Sequence, residues 1–308
     1  MTSYIFKRIL TIIPVAIGLI TVIFILLYLL PGDTARLIAG QSATPEVVER
    51  IRVEMGFDRP LYQQYFSYIQ DIFEGDLGRS YRSRRTVVSE LQQVVPRTFQ
   101  LALTAELFSV FIGVSLGLIA ASRKDGIIDR FITFISALQL SFPLFWLALM
   151  LQISISVVLH LLPPSGYQSG FDRFIILPAI TLAIPSSGIL ARFTRTAVID
   201  VMGEDYIRTA YGKGASKRIV LSRHALRNAL IPVATSVGLD FTRLLGGITI
   251  IEVIFSWPGL GKYAFDALVY KDLPALQGAV IVFAISVSLI NLLVDIFYGI
   301  LDPRIRYS

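Results

Sequence analysis

An all-α polytopic membrane protein with six transmembrane helices is the fold class this sequence predicts, and three observations predict it. Of 308 residues, 54% are hydrophobic and only 16% charged, with a mean hydropathy of +0.67; soluble globular chains carry about 25% charged residues. Six stretches approach the roughly 20 mainly apolar residues that a spanning helix needs. Lys and Arg also segregate to alternate connections, as membrane insertion demands.

The first stretch, 9–30, follows Lys7 and Arg8 as a signal peptide would. Its uncharged run from Ile9 to Leu30 exceeds the roughly 7 to 15 apolar residues of a cleaved signal, so it reads as a retained span. Residues 31–97 form an extracytoplasmic insertion. Within it, Pro45 to Met55 has helical character with Glu46 and Glu49 early, and Leu61 to Phe73 reads as an aromatic-rich amphipathic helix after Pro60. Two readings stand for this insertion, a cap over the bundle and a docking surface. The remaining spans fall near 100–121, 133–158, 174–193, 231–254 and 278–300, within a five-helix core of residues 98–308.

With the N-terminus cytoplasmic, inner connections hold fifteen of the 28 basic residues: Lys7, Arg8, Arg123, Lys124, Arg130, eight from Arg192 to Arg227, Arg304 and Arg306. The short outer loops hold only Arg173, Lys262 and Lys271. Both termini are therefore expected in the cytoplasm. The formal charge of +6 becomes topology, since no basic stripe interleaved with exposed aromatics points to nucleic acid.

Several chemistries lose their residues. The absence of cysteine removes disulfides, thiol nucleophiles and cysteine-based metal sites. Two distant histidines, His160 and His224, give poor support to a histidine metal cage or a Ser-His-Asp hydrolase. Neither a P-loop nor a His-Glu-x-x-His helix occurs, which disfavours an ATPase of that signature and a membrane-embedded metalloenzyme. No resident metal or other cofactor is expected in this chain.

The connection at about 196–230 is the most informative segment. It reads as two short helices broken at Gly212 to Gly214, with Ser216 placed to cap the second and Pro232 marking entry to the next span. A solvated basic loop is one reading. Docking is the other, because Ile207, Ala210, Val220, Leu221 and Leu226 put a buriable face among the charges.

Here the residues resemble a known family. Glu204-Asp205-Tyr206-Ile207-Arg208-Thr209-Ala210, then Lys213-Gly214, then His224-Ala225-Leu226-Arg227-Asn228-Ala229 with Pro232, resemble the cytoplasmic loop of ABC-importer permeases of the dipeptide, oligopeptide and nickel family. Leu30-Pro31-Gly32-Asp33, Gly56 to Leu61, Gly75 to Ser80, Ala191 to Arg195, Gly246-Gly247, Ser256 to Gly261 and Asp302 to Arg306 extend the likeness over nearly the whole chain. Thr34 and Tyr211-Gly212 depart from its commoner residues. The resemblance implies a type I ABC-importer permease fold of the glutathione and dipeptide kind in a bacterial inner membrane. It implies that the loop fits a cleft on an ATPase subunit, with Glu204, Asp205, Tyr206, Thr209, Ala210 and Gly214 at the ATPase-facing turn and His224, Arg227 and Asn228 holding the second helix. It further implies a paralogous second permease, two ATP-binding subunits that carry ATP and Mg, and an extracytoplasmic solute-binding protein. Trp257, Pro258, Gly259, Gly261 and Tyr263 would lie near where that protein delivers cargo. Independently of the resemblance, Trp257 reads as an interfacial anchor and Pro258-Gly259 as a turn.

Glu106, Asp240, Arg243, Glu252 and Asp295 fall within the predicted spans, where a charge costs about 2.5 to 3.5 kcal/mol at a helix centre. Asp240 and Arg243 share a helix face. With Glu106 they are candidate translocation-pathway residues, against the alternative of a structural pair; Glu252 and Asp295 read as packing or interfacial charges. The expected function is a non-catalytic permease subunit of an ATP-driven importer of peptides or glutathione-like peptides. Import of nickel or a nickel chelate is the alternative within the family, though few soft or imidazole ligands are present. A stand-alone secondary carrier is the alternative outside it; that reading accounts for buried acids but not for the loop.

Overall fold

The structure is a computed structural model that describes residues 43–301 apart from 55, 171, 217–218 and 221–224, together with residues 34–39 and isolated positions between 14 and 25. The predicted first span therefore lies largely outside the described residues, as do His224, the Leu30 to Asp33 motif and the Asp302 to Arg306 motif. Among the described residues the architecture is all-α, with a single isolated bridge between Arg79 and Thr86. In chain order the helices are α1 (Thr34–Ala39), α2 (Pro45–Glu54), α3 (Leu61–Glu74), α4 (Val87–Ser122), α5 (Ile127–Ser141), α6 (Leu144–Leu151), α7 (Arg173–Met202), α8 (Asp205–Gly212), α9 (Leu226–Ile254), α10 (Leu260–Val269) and α11 (Leu273–Leu301).

Three helices are individually long and apolar enough to cross a membrane: α4, α7 and the Leu273–Val294 part of α11. The expected third span is broken instead. Pro143 forces Phe142 before it into an extended conformation (φ −90°, ψ 131°), and α5 and α6 meet at 103° there. Beyond α6 the helix widens into a π-turn segment over Gln152–Val158. Helix α9 runs 29 residues, carries Asp240, Arg243 and Glu252, and is not in the apolar set. The described helices thus give three spans, or four with the bent pair, where six are expected.

The chain divides into two compact units, one of residues 97–259 and 290 onward, the other of residues up to 96 with 260–289. In the first, α7 is the central element. Two-thirds of its apolar window is buried, against 39% for α4. Small residues permit this centrality. A Cβ added at Gly113 or Gly117 of α4 would come within 2.8 Å of the Ser187 carbonyl or 2.5 Å of the Ala191 carbonyl on α7. Gly188 of α7 meets the Ser136 backbone of α5 equally closely. The same α4 stretch, Gly113-Val114-Ser115-Leu116-Gly117, spells a hydrolase-like G-x-S-x-G; it is continuous helix with its glycines spent on packing, not the strained strand-to-helix turn that exposes a nucleophile.

In the second unit, Val87, Leu91, Val94, Leu260, Ala267, Ala275 and Ala279 make the core. Helices α2 and α3 form where the sequence places them in the insertion. Tyr68, Ile69 and Ile72 of α3 pack on Ile20 and Ile281, and Gly75 ends α3 in the left-handed conformation (φ 82°). Asp272 then clasps the loop that follows: it accepts from the Ser80 hydroxyl (2.5 Å) and from the backbone N–H groups of Tyr81 (3.0 Å) and Arg82 (3.2 Å).

Candidate functional site

Helix α7 runs into the expected coupling loop with one intervening turn at Gly203 and Glu204. Helix α8 follows, and a second left-handed glycine, Gly214 (φ 83°), ends the turn with its N–H donating to the Tyr211 carbonyl (2.9 Å). A non-glycine residue at Gly214 would be strained even though nothing crowds its Cα. Val220 donates its N–H to the Ser216 carbonyl (3.0 Å), which starts the second helical segment one turn before α9.

The apolar side chains of this loop have a different use from the one expected. Ile207, Val220 and Ala225 are buried together, flanked by Ala210 and Ala215 and by Val201 and Met202 at the end of α7. Ile207, Val220 and Ala210 of the expected buriable face thus attach the loop to its own subunit, while Leu221 lies outside the described residues. What remains exposed on α8 is polar and aromatic: Glu204, Asp205, Tyr206, Arg208, Thr209 and Tyr211, with Lys213 and Gly214 beyond. Within that face Asp205 pairs with Arg208 (3.5 Å), and Asn228 donates to the Tyr206 hydroxyl (2.7 Å). Arg227 and Asn228 are likewise exposed, and His224 lies outside the described residues.

The expected pathway residues come together in the first unit. Arg243 is ion-paired with Asp240, which is buried, while the Arg243 side chain is 56% exposed. Glu106 of α4 stands close enough to interact with both, and is itself buried. Both Glu106 oxygens and Asp240 Oδ2 are buried, and the cluster holds two carboxylates to one guanidinium.

The outer turn departs from expectation. Trp257 is not an interfacial anchor. It is 1% exposed, donates its indole N–H to the Arg97 carbonyl (3.0 Å), and meets the Tyr167 ring edge-on at 4.9 Å. Arg97 in turn lies 4.7 Å over that tyrosine ring. Glu252 is fully buried and accepts from Thr98 (2.6 Å); Gly259 packs so closely on this carboxylate that any Cβ there would collide with it. Gly259 and Gly261 are buried and Pro258 half-buried, so the turn presents little of itself. In the other unit, Tyr263 donates to Glu90 (2.8 Å). Burial first, and the Glu90 carboxylate second, push the Tyr263 hydroxyl pKa well above the ordinary phenol value. Asp295 lies in α11 with its side chain outside the described set.

Sequence reasoning missed one further polar contact. Asp129 in the first turn of α5 is buried and takes Arg195 of α7 in two hydrogen bonds, to Nε (2.5 Å) and Nη2 (2.7 Å), plus the N–H of Asp125 (2.8 Å). Arg195 entered the sequence reading only as a positive-inside charge and as the end of the Ala191 to Arg195 motif, Asp129 not at all, and no local spacing links positions 66 apart.

Comparisons with known proteins agree with this architecture. Residues 113–307 match the family described as "Binding-protein-dependent transport system inner membrane component", and residues 1–102 match its N-terminal companion, "Binding-prot-dependent transport system membrane comp, N-term". The chain is 41% identical to the glutathione transport system permease protein GsiC of Escherichia coli (strain K12), over all of both chains. It is 43% identical, again over the whole of both, to a protein of Brucella abortus (strain 2308) named "Putative peptide transport system permease protein". Among solved structures, an inward-facing MetNI methionine ABC transporter chain matches with a TM-score of 0.60 at 16% identity, covering 70% of this chain and 97% of that one, which speaks to fold alone. Family matches across both parts of the chain and relatives aligned from end to end establish that it belongs to the binding-protein-dependent transport system inner membrane components, as a multi-pass permease with an ABC-importer permease fold.

Proposed function

We propose that the chain is the permease subunit of an ATP-driven importer of di- or oligopeptides or glutathione-like peptides, forming half of the translocation pathway. The observation that carries the coupling role is the loop after α7: Ile207, Val220 and Ala225 fasten it to the subunit, and an exposed face of mainly polar and aromatic side chains is left for another protein. The named activities of the relatives, glutathione and peptide transport, supply the cargo class. In this reading the subunit catalyses nothing. ATP and Mg are held by two ATP-binding subunits, one of which docks on Glu204, Asp205, Tyr206, Thr209, Ala210 and Gly214 of this chain, with His224, Arg227 and Asn228 holding the second helix of the loop. A paralogous permease supplies the other half of the pathway, and an extracytoplasmic binding protein delivers cargo. Both chain termini face the cytoplasm, and six spans include the first stretch and α9.

Within the pathway, Arg243 extends from the buried Asp240–Glu106 pair and is available to the carboxylate of a passing peptide. The test is ATP hydrolysis by the reconstituted complex with its binding protein, with and without glutathione or dialanine. Stimulation in wild type that disappears in an assembled Gly214→Asp complex supports the reading. Peptide uptake that persists without any ATPase subunit overturns it in favour of a secondary carrier.

A further inference from the structure

Helices α5 and α7 run antiparallel, and two contacts fix their register. Gly188 of α7 lies against the Ser136 backbone of α5, and seven residues further along each helix, in opposite directions, Arg195 grips Asp129. Seven residues are about two helical turns, so both contacts lie on one face of each helix. One is a close backbone approach that only glycine permits. The other is bidentate and charge-assisted, and its carboxylate is also held by the Asp125 N–H at the start of α5. Asp129 is 2% exposed while the Arg195 side chain is 27% exposed, so the carboxylate end of the pair is buried and the pair is screened less than a fully surface ion pair.

The position of the pair gives it a second use. Seven residues beyond Arg195, α7 ends at Met202 and becomes the coupling loop, whose buried cluster packs against Val201 and Met202. Below the pair, Ala197 and Val198 pack with Ala229 and Val233 of α9. Above it, α5 leads without interruption to the break at Phe142, where α6 departs at 103°. A displacement of the loop therefore enters α7, and the lowest bonded point at which it passes to α5 is Arg195–Asp129.

We infer that Asp129 and Arg195 are a positioning pair for transport, transmitting movement of the coupling loop to the bent α5–α6 pair. This rests on the loop being the ATPase contact. The pair does not touch cargo or nucleotide; it acts by making α5 follow α7.

The chain has no cysteine, so labels can be placed singly. In the full complex with its ATPase subunits, spin labels at Val158→Cys, on the exposed end of the segment after α6, and at Leu239→Cys, exposed on α9, report movement of the bent pair when ATP and vanadate are added. The expected result is a nucleotide-driven distance change in wild type. In Asp129→Asn and Arg195→Gln the ratio of moved to unmoved populations falls roughly 2- to 30-fold, the range of couplings carried by single residues along such routes. Arg195→Lys keeps a point charge and recovers part of it. A merely structural pair would lower complex yield and leave that ratio in the assembled fraction unchanged, and that result overturns the proposal. So does a wild-type complex whose labels do not move, or an Arg195→Lys complex no better than Arg195→Gln. If Gly214→Asp also leaves the movement intact, the loop reading itself fails; if Gly214→Asp abolishes the movement while Asp129→Asn preserves it, only the role of the pair is lost.

Discussion

Replacing Gly117 by alanine is a one-methyl test of how α4 packs on α7. The new Cβ would stand 2.5 Å from the Ala191 carbonyl oxygen and 2.6 Å from Thr194 Cβ, the first a backbone atom that cannot swing away. Overpacking of this kind costs about 1 to 3 kcal/mol, and contact with backbone places it toward the upper end. Against it stands the intrinsic gain of alanine over glycine inside a helix, about 0.8 to 1 kcal/mol. The net expectation is a loss of about 1 to 2 kcal/mol. The same substitution at Gly246 of α9 meets nothing within 4 Å and retains only the gain. Thermal unfolding of the purified chain in detergent should therefore shift down for Gly117→Ala and slightly up for Gly246→Ala. A Gly117→Ala protein as stable as wild type would refute the close approach of α4 and α7, and with it the centrality of α7.

Three further outcomes follow from the contacts. Asp272→Ala strips the Ser80 hydroxyl and the Tyr81 and Arg82 N–H groups of their acceptor; with a net cost of about 1 to 3 kcal/mol, trypsin should cut at Arg82, Arg84 and Arg85 roughly tenfold faster or more. Trp257→Phe keeps the ring against Tyr167 but loses the bond to the Arg97 carbonyl, so it should lower stability by about 1 kcal/mol or somewhat more, measured by thermal unfolding, with Trp257→Ala several times worse. The Tyr263 hydroxyl is held protonated above the ordinary phenol range by burial and by Glu90, so the contribution of that group is complete below about pH 10 and drains away as pH rises toward the higher folded value. Alkaline unfolding curves should accordingly fall less steeply above about pH 10 in Tyr263→Phe than in wild type.

What the sequence made legible was whatever has a local period or a local punctuation mark. The spans at 100–121 and 174–193, the insertion helices after Thr44 and Pro60, and the break at Gly212 to Gly214 all depend on residues a few positions apart, and all have helical counterparts in the structure. The third span was legible as apolar but not as bent, although Pro143 stood in the middle of it; a proline can kink a membrane helix or end it, and the extended Phe142 decides the matter only in three dimensions. Charges were the hardest to place. Asp240 and Arg243 share a face by spacing, whereas Asp129 finds Arg195 across 66 residues, and Asp272 finds Ser80 across 192. Trp257 looked interfacial by composition and is buried because Arg97 offers a carbonyl to its indole.

On the proposed reading, the loop after α7 divides its residues between folding and partnership. The segment between α7 and α9, residues 203–225, is too short for a core of its own, so apolar side chains are needed to attach it. Ile207, Val220 and Ala225 are spent in that way, against Val201 and Met202. A partner surface is then left with Glu204, Asp205, Arg208 and Lys213 for orientation, and with Tyr206 and Tyr211 as the only large amphipathic rings exposed on α8. Exposed charges contribute little affinity each but set register, while aromatic side chains bury area at low entropic cost. Tyr206 is also pre-positioned, since Asn228 at the start of α9 holds its hydroxyl. The hydrogen bond spans the two ends of the loop, so a partner that seats Tyr206 pulls on the helix after the loop as well as the one before it. On the proposed coupling reading, that double attachment would let one contact act on two membrane helices.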